Sequence, residues 1–201
     1  MGINNVPTKT CSYTCIYCQV GQTTEKILQP RSYFTPEQVH AAVESRLEKL
    51  GAEGQTVDYL SFVPDGEPTL DSRLGESIDA LRDLNIPIAV ITNASLLSRE
   101  DVRSRLMKAD LVSIKVDAVD EAVWRTINLP HPYLKLSSIL QGIRDFAAGY
   151  AGTLLSDTML IKGINDTPEV LTATASFLAE IGPQTVYLAV PVRPTTVKGV
   201  H

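Results

Sequence analysis

The 201-residue sequence predicts an α/β fold, a parallel sheet with helical crossovers rolled into an open or partial barrel. Three observations carry this. Strand-like apolar runs and amphipathic helical runs alternate along the chain. One run, Pro87 to Thr92, is almost continuously apolar, as a strand buried on both faces should be. A closed eight-unit barrel takes ~250 residues, so this chain has room for about five or six units. No repeat, low-complexity tract or linker interrupts the pattern, which reads as one domain over residues 1–201.

The elements follow in order. Thr35-Pro36-Glu37-Gln38 predicts a helix start: an N-cap threonine, proline at the first helical position, and a glutamine placed to cap in return. That helix should run to about Leu50 and stop at Gly51. Val57 to Val63 reads as a strand. Asp71 to Leu84 reads as a helix, with Leu74, Ile78, Leu81 and Leu84 on one stripe. After the strand 87–92, Ser98 is placed to cap the next helix. Leu111 to Asp117 is a strand, Glu121 to Ile127 a short helix, Ser138 to Ala148 a longer one, and Thr153 to Ile161 a strand. Asp166-Thr167-Pro168-Glu169 is a second capping box, with Asp166 as the cap and a helix to about Ile181. Thr185 to Pro191 is the last strand.

Composition excludes some function classes. No apolar run approaches the ~20 residues a membrane helix needs. The formal net charge of −5, with no cluster of Lys and Arg, weighs against a generic nucleic-acid surface.

The cysteines are the most specific signal. All three sit near the start as Cys11-Ser-Tyr-Thr-Cys15-Ile-Tyr-Cys18. An odd count fits disulfides poorly, and no secretory signal precedes them, so the expected compartment is a reducing cytoplasm. Three thiolates can hold three corners of a 4Fe–4S cube and leave one iron open, where an electron-transfer ferredoxin supplies four. Zinc is the alternative, although a structural zinc site usually takes four protein ligands.

Cys-x-x-x-Cys-x-x-Cys with an aromatic before the last cysteine, Tyr17, resembles the signature of the radical S-adenosylmethionine superfamily. Gly2-Ile-Asn-Asn-Val-Pro7, Cys18-Gln-Val-Gly21, Pro64-Asp-Gly-Glu-Pro68, Ile91-Thr-Asn-Ala94 and Lys162-Gly-Ile-Asn-Asp166 extend the likeness to a branch grouped with wyosine-type tRNA synthetases. The resemblance implies a partial (β/α)6 barrel and a 4Fe–4S cluster on Cys11, Cys15 and Cys18. It implies that S-adenosylmethionine binds the open iron and is cleaved to methionine and a 5′-deoxyadenosyl radical, with an electron from a flavodoxin or ferredoxin. In that family a first strand precedes the cysteine loop, and only ten residues do so here. The chain also ends at His201, soon after the last strand, so it reads as a core abbreviated at both ends. The substrate is open between a tRNA nucleoside, a protein that such an enzyme would activate by making a glycyl radical, and a small molecule. The rival class is a non-catalytic iron–sulfur or zinc module, a remnant of such an enzyme.

Active sites of parallel barrels lie at the carboxyl ends of the strands, which selects the remaining candidates. By the resemblance, Gly66 and Glu67 receive the ammonium of the cofactor, although Asp65 stands where the family has a further glycine. Asn93 is placed for the ribose, Asn165 for adenine or ribose, and Tyr17 for stacking near adenine or shielding the cluster. Side-chain alternation puts Val112, Ile114 and Val116 toward the helices and Ser113, Lys115 and Asp117 toward the lumen. A buried lysine needs a partner or an anion. Lys115 therefore either binds the cofactor or ion-pairs with Asp117, and a catalytic Schiff base with a keto substrate is a further role. Arg193 can close the site over an anionic substrate or be solvated. Asn128 and His131 are placed near the opening.

Overall fold

A computed structural model describes residues 1–23 and 26–200; His201 lies outside them. Six parallel strands lie side by side in chain order: β1 (Gly2–Ile3), β2 (Leu60–Phe62), β3 (Ile88–Thr92), β4 (Leu111–Lys115), β5 (Thr153–Met159) and β6 (Thr185–Ala189). Helices α1 (Pro36–Ala52), α2 (Leu74–Ala80), α3 (Glu100–Leu106), α4 (Glu121–Asn128), α5 (Leu136–Gly149) and α6 (Pro168–Ile181) alternate with them. This is the expected partial barrel, with β1 and β6 as its edges among the described residues.

The first strand is present, although short. Gly2 and Ile3 pair in parallel with Ser61 and Phe62, before the cysteine loop as the resemblance implied. Its low strand signal explains why only five strands are legible from the pattern.

The core lies between the sheet and the helices. Leu60, Phe62, Val90, Val112 and Ile114 from the strands and Leu74, Ile78, Leu106 and Phe146 from the helices are completely buried. Each such side chain contributes ~1.5–3 kcal/mol from apolar burial alone. Thr35 caps α1 in a full capping box, as its sequence requires.

Four local expectations are corrected. The helix expected over 71–84 is broken: Asp71 turns its carboxylate onto the Arg73 N–H and the Asn5 amide, so α2 starts only at Leu74. Pro68–Leu70 and Arg82–Leu84 are 3₁₀ turns. Ser98 is not a cap; Arg99 takes that position without a side-chain bond. Thr167, not Asp166, caps α6, and Asp166 instead accepts from the Gly163 N–H. The strands are also shorter than read: β2 begins only at Leu60, β4 ends at Lys115, β5 at Met159 and β6 at Ala189.

Candidate active site

The cysteine segment makes no regular structure, so its backbone groups must find partners elsewhere. They find them on the loops that follow the strands. Lys9 N–H donates to the Asp65 carbonyl at 2.6 Å, and Glu67 N–H donates to the Thr10 carbonyl at 2.8 Å. These two bonds hold the start of the cysteine loop against the turn after β2. Gly66 is obligatory there, since a Cβ would lie 2.3 Å from the Thr10 carbonyl oxygen. After β3, Asn93 donates to the Ser12 hydroxyl at 3.1 Å and to Cys11 Sγ at 3.5 Å, while the hydroxyls of Ser12 and Ser95 meet at 2.6 Å. At the end of α4, the carbonyls of Ile127 and Asn128 accept from Ile16 and Thr14.

Beneath the loop lies a buried polar network. Asp117 Oδ2 accepts from the Tyr17 hydroxyl at 2.5 Å and the Asn128 amide at 2.7 Å, and its Oδ1 accepts from the Met159 N–H at 2.9 Å. Asn128 also reaches Cys15 Sγ at 3.4 Å. Two of the three cysteines thus receive an amide N–H, the kind of contact that tunes an iron–sulfur centre. Burial pushes the Cys11 and Cys15 thiols up to about 12, with the Glu67 charge adding at Cys11 and the Asp117 charge at Cys15. Any metal that takes these sulfurs must displace their protons.

All three cysteines border one cavity of about 550 Å³ inside the barrel, which reaches from the loops after β2 and β3 to Tyr59, Ala89 and Leu111 toward the other ends of the strands. That volume suits a nucleoside-sized ligand. Tyr17, Gly66, Glu67, Asn93, Ser113 and Lys115 line it too, so most of the expected residues meet in one place. Two do not. Asn165 is buried, accepting from the Ile161 N–H and donating to the carbonyls of Asp117 and Met159, so its side chain is spent on the frame. Arg193 is exposed and donates to Gln19. His131 contributes its backbone N–H to the Ser12 carbonyl, and its ring lies against Tyr133.

Glu67 lines the cavity, yet its oxygens are heavily used. Oε1 accepts from the Thr69 N–H and from the hydroxyls of Thr69 and Thr92, and Oε2 accepts from the Asn93 N–H. Burial pushes this carboxyl up, against the pull of those donors. Lys115 is paired with Asp157, not with Asp117 as the alternation allowed. The two stand opposite each other in the β4–β5 register. Burial by itself lowers the Lys115 ammonium, but Asp117 and Asp157 outweigh it and hold the group above its ordinary value. The ammonium also lies 5.4 Å from the centre of the Tyr17 ring. Asp157 was missed by sequence reading, although a charged residue in mid-strand on the lumen-facing parity was the available signal.

The three cysteines put soft sulfur donors on one cavity wall, the donor type that an iron–sulfur cluster takes.

The comparisons with known proteins agree with this geometry. The chain is 49% identical over 198 residues to the UPF0026 protein MJ1312 of Methanocaldococcus jannaschii, covering 98% of this chain and 61% of that protein. It is 30% identical over 202 residues to a UPF0026 protein of Helicobacter pylori, covering 98% and 64%. It therefore spans less than two thirds of the length of these relatives. Among solved structures, TYW1 with a lysine-pyruvate adduct bound shares the fold with a TM-score of 0.74 at 20% identity, covering 96% of this chain and 64% of that one. The model of the radical SAM superfamily matches residues 5–173, a span that holds the three cysteines and every strand from β2 to β5. With the partial barrel and the cysteine-rimmed cavity in place, that match makes the chain a member of the radical SAM superfamily.

Proposed function

We propose that the chain is the core of a radical S-adenosylmethionine enzyme, with Cys11, Cys15 and Cys18 holding a 4Fe–4S cluster and the 550 Å³ cavity receiving S-adenosylmethionine. The observation that carries this is the convergence of the three cysteines with Gly66, Ser113 and Lys115 on one cavity inside the barrel of parallel strands. When bound, the cluster supplies the electron that splits the cofactor into methionine and a carbon radical.

The residues of the chain have distinct parts. Gly66 lets the backbone approach the cofactor closely. The Ser113 hydroxyl has no protein partner among the described residues and faces the cavity, so it is available to a ligand hydroxyl or carboxylate. Lys115 offers a cation that Asp157 holds in place. Val63, Ile91 and Leu155 give the cavity an apolar wall against which a ligand can pack. The electron donor is a flavodoxin or ferredoxin, and the setting a reducing cytoplasm; no helix among the described residues is long and apolar enough to cross a membrane.

Anaerobic reconstitution with iron and sulfide, followed by EPR of the reduced protein with and without S-adenosylmethionine, tests the reading. A 4Fe–4S signal that changes on adding the cofactor is expected. A cluster indifferent to the cofactor, or uptake of zinc alone, refutes it and leaves a structural metal module. For the substrate, the wyosine-type resemblance favours a tRNA nucleoside and the net charge of −5 opposes it. Absence of salt-dependent tRNA binding at low ionic strength excludes the tRNA class for this chain and leaves a protein glycyl-radical site or a small molecule.

A further inference from the structure

The three cysteines also border a second, smaller compartment of about 110 Å³, together with Lys9, Gly21, Thr23, Asp65 and Gly66. A water's share of liquid volume is ~30 Å³, so this space is too small for a nucleoside and belongs to whatever the sulfurs themselves hold. Lys9 is its cation, and the backbone is bent to bring it there. Lys9 has φ 65°, the left-handed region that a lysine seldom adopts. Its N–H to the Asp65 carbonyl holds that conformation. Strain of this kind collects where a site requires it. The side chain then lies across Gly21, where an added Cβ would stand 3.4 Å from Lys9 Nζ and 3.5 Å from Cε. Gly21 itself has φ 102°, a conformation that favours glycine.

The other ionisable groups lining this compartment are the three cysteine sulfurs, Asp65 and the Tyr13 phenol, none of them cationic, with the Glu67 charge also felt at Cys11. Lys9 makes no ion pair among the described residues, so its charge is not already spent on a carboxylate. A thiolate-ligated cluster is negative, and reduction makes it more so. Fixed positive charge beside it therefore favours the reduced form.

We infer that Lys9 is a positioning residue for charge, raising the reduction potential of the cluster held by Cys11, Cys15 and Cys18. The inference rests on the cluster reading above. The step it acts on is a one-electron reduction of the oxidised cluster by the external donor; no bond or proton changes at Lys9.

EPR-monitored potentiometry of the anaerobically reconstituted chain, with dithionite as reductant, tests this alongside iron and sulfide content. Lys9→Gln should move the midpoint to more negative potential, Lys9→Glu further in the same direction, and Lys9→Arg should keep the wild-type value. Loss of the cluster in Lys9→Gln with retention in Lys9→Arg also supports a role for the charge. Equal potentials in all variants, or an arginine variant that behaves like glutamine or loses the cluster, overturn it. A wild-type chain that takes no cluster fails the cluster reading itself. A wild-type cluster whose potential ignores residue 9 fails only this inference.

Discussion

Replacing Tyr17 with phenylalanine removes one oxygen from the network that seats the cysteine loop on the barrel. The hydroxyl donates to Asp117 Oδ2 at 2.5 Å from a side chain that is 7% exposed. A hydrogen bond to a charged group contributes ~1.5–3 kcal/mol. Asp117 keeps the Asn128 amide at 2.7 Å and the Met159 N–H at 2.9 Å, so the carboxylate is not orphaned. The ring stays in place, so no large cavity opens. The expected loss is therefore about 2 kcal/mol, toward the low end of that range. For a chain of this size each kcal/mol moves Tm by ~2–4 °C, which gives a drop of about 4–8 °C. Urea unfolding of the reduced, metal-free protein is the assay, because cluster binding would mask the term. Asp117→Ala strips the acceptor from three buried donors, each costing ~1–3 kcal/mol when left unpaired, so it should lose ~3–9 kcal/mol, more than Tyr17→Phe. The double variant should lose less than the sum, since the shared bond is counted once. A Tyr17→Phe protein within ~0.5 kcal/mol of wild type at unchanged m value refutes the claim that this contact anchors the loop.

Gly66→Ala forces a Cβ against the Thr10 carbonyl oxygen, and overpacking of this kind costs ~1–3 kcal/mol. Because the displaced backbone carries Cys11, iron uptake on reconstitution should fall more than stability, and an alanine variant that loads normally counts against the close approach. Lys115→Met removes a charge-assisted donor worth ~1.5–3 kcal/mol, so S-adenosylmethionine affinity should drop about tenfold or more while the fold survives; calorimetric titration checks this, and an unchanged Kd takes Lys115 out of the binding set. Loading the cluster should raise Tm, because it binds the folded loop and not the unfolded chain, and chelation of the iron should return Tm to the metal-free value.

What the sequence shows and what it hides divide along physical lines. The helix start at Thr35 is legible because all its determinants lie within four residues. The alternation of β4 is legible because Val112 and Ile114 must be buried and Ser113 and Lys115 need not be. The break at Asp71 is only half legible: its contact to the Arg73 N–H is local, but the Asn5 amide that holds the other carboxylate oxygen is far away in sequence. Asp157 escapes for the same reason: its meaning comes from the residue across the sheet, and register between parallel strands is not written in either strand alone. β1 escapes because two residues carry no period. The cysteine spacing is local and is read at once, whereas the fastening of that loop to Asn93, Asn128 and Glu67 emerges only when the loops after β2 and β3 and the end of α4 come together.

The residues expected to touch the cofactor therefore separate by whether their polar atoms are already engaged, and Glu67 is the decisive case. By resemblance it receives an ammonium; by geometry it is the knot that joins the turns after β2 and β3. Glu67→Gln distinguishes the two. Its oxygens accept from four donors, so the new NH₂ must face at least one N–H or O–H that has nothing to donate to. If the carboxylate is chiefly the knot, the metal-free protein should lose ~1–3 kcal/mol, the cost of an unsatisfied buried donor, and affinity for S-adenosylmethionine should fall only as the loop loosens. If it is chiefly an ammonium acceptor, metal-free stability should hold and affinity alone should fall. The four short contacts favour the first outcome. A glutamine variant as stable as wild type that binds the cofactor poorly would reverse this assignment and return Glu67 to the cavity.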